Sequence, residues 1–136
     1  MPSAVRTTLV LLSVTVSAAL TWVAWLGWES GYRRLPDGRV EGPYSPAQVV
    51  ACAATLIAIV VLGCLAVRCA TGPAGAVVAC ATAGFAFAWG RDAAAADETG
   101  LWGVGLLLLV VGCSVGGTAV AVVTALASRW MRRFRP

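Results

Sequence analysis

The chain has 136 residues, of which 60% are hydrophobic and 12% charged, and its formal net charge is +4. A water-soluble domain carries a skin of about 25% charged residues, so a solvated globule is excluded. Histidine is absent, which removes the commonest metal ligand and the usual proton shuttle near neutral pH.

The first apolar block runs from Thr8 to Trp28 without a charge. A helix of about 20 residues crosses the roughly 30 Å hydrocarbon layer of a bilayer, so residues 8–28 are predicted to span one. Arg6, the run Leu9 to Val16 and the small residues Val16-Ser17-Ala18 also fit a cleavable signal peptide over residues 1–18. The apolar run continues to Trp28, which favours an uncleaved span.

The loop that follows, residues 29–46, is the longest polar segment. Leu35-Pro36-Asp37-Gly38-Arg39 has the composition of a tight turn: proline fixes φ, aspartate bonds its own backbone, and glycine accepts positive φ. With Leu35 facing Arg39, Arg33 faces Glu41 as an opposite-charge cross-strand pair, and a short β-ribbon is expected. Gly42-Pro43-Tyr44-Ser45-Pro46-Ala47-Gln48 then starts the second helix. Ser45 fits the N-cap, Pro46 the first helical position and Gln48 the third, which is the spacing of a capping box. Tyr44 and Val49 hold the hydrophobic-staple positions on either side. A second reading makes Tyr32, Arg33, Arg34 and Tyr44 an outer contact surface.

Asp37, Glu41, Gly42, Pro43 and Tyr44, followed by a glutamine and an apolar run, form a pattern. It resembles a loop of small uncharacterised four-helix membrane proteins of GC-rich bacteria. Ten arginines without a lysine, and heavy use of alanine and valine, suit such a genome. The resemblance covers the first two helices and their loop, and it implies no activity.

The second block, residues 47–67, is again free of charge. After a short inner loop, 68–73, comes the shorter, alanine- and glycine-rich third block, 74–89. The outer loop 90–100 carries Arg91, Asp92, Asp97 and Glu98. The fourth block, 101–127, is longer than a bilayer requires, and residues 128–136 form a basic tail. Backbone amides in lipid must pair within their own segment, which makes these blocks helices. The period-2 alternation of a membrane barrel is missing. The expected fold is an all-α membrane protein, a single bundle of four transmembrane helices.

Four spans put both termini on one side. That side receives six arginines and no acid; the other receives four arginines and all six acids, giving +6 against −2. The positive-inside rule then places both termini in the cytoplasm of a bacterial cell, with the protein multi-pass in the cytoplasmic membrane. Trp22, Trp25, Trp28, Trp89 and Trp102 gather toward the acidic face, as one headgroup belt. The arginine-rich tail is read as a stop-transfer anchor that attracts anionic lipid headgroups, in preference to nucleic acid.

Chemistry is sparse. Cys52, Cys64, Cys69, Cys80 and Cys113 contain no C-x-x-C, the pair that membrane thiol oxidoreductases require, and are read as soft packing residues. None of the predicted spans holds an Asp, Glu, Lys or Arg, whereas proton-coupled exporters depend on an intramembrane carboxylate. Catalytic residues, metal ligands and cofactors are therefore not expected. What remains is small residues in rows: Ala76, Cys80, Gly84 and Ala88 in the third block, and Gly112, Gly116 and Gly117 in the fourth. Such rows let helix backbones approach closely. Spending both inside one bundle is favoured over a homodimer seam. The functional expectation is a non-enzymatic accessory or regulatory subunit that works by helix packing and outer-loop contacts with a membrane partner. The alternative is a small oligomeric transporter or channel using groups such as Ser114 and Thr118.

Overall fold

The structure is a computed structural model that describes residues 3–28, 33–34, 36–38, 40–67, 71–97 and 100–133. It contains four helices: α1 (Ser3–Trp25), α2 (Pro46–Ala66), α3 (Thr71–Ala96) and α4 (Trp102–Arg133). All four are long and apolar enough to cross a membrane.

Local chemistry sets the ends. At the start of α2 the Ser45 hydroxyl accepts from the Gln48 amide at 3.3 Å, and the Ser45 amide donates to Gln48 Oε1 at 2.7 Å. This reciprocal box satisfies two of the donors that every helix N-terminus leaves over. Pro46 follows in the first turn, where its missing N–H costs nothing. α1 closes with the Leu26 and Gly27 amides both donating to the Trp22 carbonyl at 2.9 Å. Trp28 therefore lies past the helix, where its indole returns to the Ala24 carbonyl at 3.0 Å. Between α3 and α4 the chain turns at Gly100, whose φ of 75° suits glycine. The Asp97 carboxylate accepts from the Trp102 amide at 3.3 Å at the head of α4.

Several boundaries differ from those expected: α1 covers Ser3–Trp25 in place of 8–28, and α3 starts at Thr71, inside the expected inner loop 68–73. α3 does not stop at residue 89 but continues through Arg91 and Asp92 to Ala96. Hydropathy falls there, but Ala93 to Ala96 are strong helix formers, and charge alone does not end a helix. α4 runs to Arg133, so the described part of the basic tail is helical. Charges accordingly lie within α1, α3 and α4 (Arg6, Arg91, Asp92, Arg129, Arg132 and Arg133), near the helix ends. In the first loop Arg33–Arg34 pairs antiparallel with Val40–Glu41, Arg33 opposite Glu41. Two residues a side are too few to stand as a ribbon, and the regular structure is helical.

The helices run up, down, up, down. Gly63 of α2 lies against Val14 of α1, and Arg6 donates to the Ala66 carbonyl at 3.3 Å, which makes that pair antiparallel. α1 and α3 run parallel, with Gly84 against Thr15 and Asp92 against Trp22. α4 returns along α3, Gly105 beside Trp89 and Gly117 beside Val78. The densest packing is between α1 and α3, α3 touches all three other helices, and α1 does not touch α4 among the described residues. The core follows this order. Val14, Ala18, Trp22 and Leu26 of α1 meet Val77, Val78, Ala81 and Phe85 of α3, with Cys52, Val60 and Cys64 of α2 alongside. α4 adds only Ala121 to this buried cluster.

Candidate functional site

Small residues decide how closely these helices approach. Gly84 is buried where α3 crosses α1, and a β-carbon there would collide with the backbone carbonyl of Thr15. No larger residue fits, because the neighbour is main chain and cannot rotate away. Cys80 and Ala88, on the same row, are half-buried against the core, and Ala76 is half-buried toward the start of the helix. In α4, Gly117 receives Val78, whose Cγ1 would stand 2.9 Å from an added β-carbon. Gly112 and Gly116 are exposed and would meet nothing within 4 Å. The expectation that both rows are consumed inside the bundle is thus corrected for α4. α4 turns Gly117 toward α3, while Gly112 and Gly116 touch no neighbouring helix.

The end that carries the loop 29–45 and the turn into α4 holds a polar and aromatic cluster. Trp22 is buried, and its indole donates to Asp92 Oδ2 at 2.7 Å. Its ring meets Phe85 edge-on at 5.9 Å and Tyr44 at 6.0 Å. Tyr44 is thereby an anchor of the loop on the bundle. Trp25 donates to Thr55 Oγ1 at 3.2 Å, so successive turns of α1 reach α3 and α2. The bond to Asp92 exists because α3 continues past its apolar stretch and carries the carboxylate up beside Trp22. Sequence reasoning missed it by ending the helix at residue 89; the alanine run was the signal. Of the outer-loop candidates, Tyr32 lies outside the described residues, and for Arg33 and Arg34 only the backbone pairing is described.

Most helix hydroxyls are turned back on their own helices. Thr8, Ser13, Thr15, Thr21, Thr55, Thr118, Thr124 and Ser128 each donate to a carbonyl three or four residues earlier. Thr118, which a pore reading would need, is spent on Ser114.

A cavity of about 250 Å³ lies between α2, α3 and α4. Buried Val60, Val78, Ala81, Thr82 and Phe85 form its floor, and exposed Ala53, Ile57 and Gly116 stand at its mouth. Cys113 also lines it and carries a free thiol; Cys52 and Cys80 are free as well, Cys64 is buried in the core, and Cys69 lies outside the described residues. At the opposite end of α4, Leu126, Ala127, Arg129, Trp130 and Arg133 line a shallow groove. Among the described residues, no three His, Cys, Asp or Glu side chains converge in a way that could hold a metal ion. Comparison with protein-family models, with curated proteins and with solved structures finds no match for this chain.

Proposed function

We propose that the chain is a multi-pass protein of a bacterial cytoplasmic membrane, both termini in the cytoplasm, that serves as an accessory or regulatory subunit and not as an enzyme. One observation carries the reading: the outer face of α4. Val104, Leu108, Val111, Val115, Thr118 and Val122 are all exposed and repeat at alternating four- and three-residue steps, with exposed Leu126 four residues further on. At about 100° per residue these positions share one stripe, roughly opposite Cys113, Gly117 and Val120, which face the cavity. That spacing is the seam of a left-handed helix pair, the commonest packing between membrane helices. The polar groups at the tryptophan end are engaged in tying α1 to α2 and α3, which supports a packing role over chemistry.

Tyr44 and the neighbouring loop give the partner a second place to bind. The described arginines of the tail, Arg129, Arg132 and Arg133, are exposed on the last turns of α4 and hold anionic lipid headgroups. Purification from membranes in mild detergent tests the reading. A partner protein co-elutes with the wild-type chain and is lost when Leu108 and Val115 are replaced by tryptophan. A wild-type chain that elutes alone from several mild detergents contradicts it.

A further inference from the structure

Among the described residues three polar side chains are buried, all of them threonines: Thr21, Thr82 and Thr124. Thr21 and Thr124 donate to the carbonyls of Ser17 and Val120, each at 2.8 Å. Thr82 is only 7% exposed, yet among the described residues its hydroxyl has no hydrogen-bond partner. Among the described residues no side-chain oxygen that is sealed off lacks a partner, so the Thr82 oxygen retains open surface. Thr82 lines the cavity between α2, α3 and α4. Buried hydroxyls without partners are rare, because losing water without replacement is costly. This one stands in a chamber whose other walls are apolar.

We infer that the cavity is a binding site for a small apolar ring compound carrying a carbonyl acceptor, which takes the hydrogen bond that Thr82 offers. Size fits. A dry cavity of about 150 Å³ holds benzene, and this one, at about 250 Å³, has room for a second ring. Shape fits as well, since Phe85 supplies an aromatic wall and the mouth opens sideways between α2 and α4 at Ala53, Ile57 and Gly116. Thr82 lies near the middle of α3, about 16 Å from its first residue and about 21 Å from its last at a rise of about 1.5 Å per residue. In a bilayer the ester carbonyls of lipids lie outside the hydrocarbon layer. An acyl chain in the cavity would therefore fill it and leave the hydroxyl unpaired. A ring ketone dissolved in the membrane brings its acceptor to that depth. The site is independent of the partner proposed above, because the outer stripe of α4 points away from it.

The probe is tetralone, a bicyclic ketone, with tetralin as the same skeleton without the oxygen. Thermal unfolding of the purified full chain in detergent is followed as each is added. A ligand that binds only the folded form raises the midpoint in a saturable way. Both compounds partition into the micelle equally for every variant, so differences between variants report the site. Tetralone is expected to stabilise the wild type and Thr82→Ser, and to bind Thr82→Val about fivefold to tenfold more weakly, the worth of one neutral hydrogen bond. Thr82→Val breaks no existing bond, and an unchanged tetralin response shows its cavity intact. Gly116→Phe, with open space at its β-carbon, is expected to block the mouth and abolish both responses. Equal tetralone affinity in wild type and Thr82→Val, or no saturable shift with the wild type, overturns the inference.

Discussion

Gly84 and Trp22 show how much of this bundle rests on single side chains. At Gly84 the limit is steric: α1 and α3 stand at a distance that only hydrogen on the α-carbon permits. Gly84→Ala is expected to cost on the order of 1–3 kcal/mol through overpacking, read as a lower Tm in detergent. Gly116→Ala, facing open space, serves as the control and is expected to leave Tm unchanged or slightly raised. A Gly84→Ala chain as stable as the wild type would contradict the close approach. At Trp22 the limit is polar. Trp22→Phe keeps an aromatic ring beside Phe85 and Tyr44 but removes the donor to half-buried Asp92. It is expected to cost on the order of 1 kcal/mol, and Trp22→Phe with Asp92→Leu together to cost less than the sum of the two changes. A strictly additive pair would show that the bond contributes nothing. The sequence displayed the small row of α3 because periodicity places residues on faces. It could not display which glycine meets backbone, since that depends on where the partner helix crosses.

At the scale of the element, the ends of helices were legible where a specific side chain makes them. Ser45, Pro46 and Gln48 stand at the spacing that a capping box requires, and the structure closes that box. Ser45→Ala is expected to lose about 1 kcal/mol of stability, measured by unfolding in detergent; no change would mean that Pro46 alone sets the start. Ends were illegible where only hydropathy marked them. Polarity at Arg91 and Asp92 reads as the edge of an apolar stretch, while helix propensity through Ala96 carries the backbone on. The same holds for α4. Its 32 residues extend about 48 Å, some 18 Å more than the hydrocarbon layer, and Arg129, Arg132 and Arg133 lie on its last turns. Replacing these three with glutamine is expected to remove a preference for anionic over zwitterionic lipid worth about 1 kcal/mol per arginine. The check is mass spectrometry of lipids retained by the purified chain, and an unchanged lipid ratio would count against the proposed role of the tail.

Across the whole molecule, α3 is the hub and α4 the periphery. α1, α2 and α3 share a core built from small and branched residues, while α4 lies against α2 and α3 and presents an apolar stripe outward. Element order and the up-down course followed from the apolar blocks and the polar segments between them. The unequal packing did not, because apolar helices give no sign of which neighbours they meet until their crossings are known. The division of charge has a structural counterpart. Arg6 meets the end of α2 at one end of the bundle, and Trp22, Asp92 and Tyr44 gather at the other.

The claim on which the rest depends is that these four helices cross a bilayer and leave both termini on the cytoplasmic side. With all five cysteines replaced by alanine, single cysteines at Pro36, Leu101 and Arg132 can be labelled in intact cells with a membrane-impermeant maleimide. The account predicts that Pro36→Cys and Leu101→Cys react in intact cells, that Arg132→Cys reacts only after lysis, and that alkaline carbonate releases none of them from the membrane. Labelling of Arg132→Cys alongside Pro36→Cys in intact cells, or release of the chain by carbonate, would contradict it.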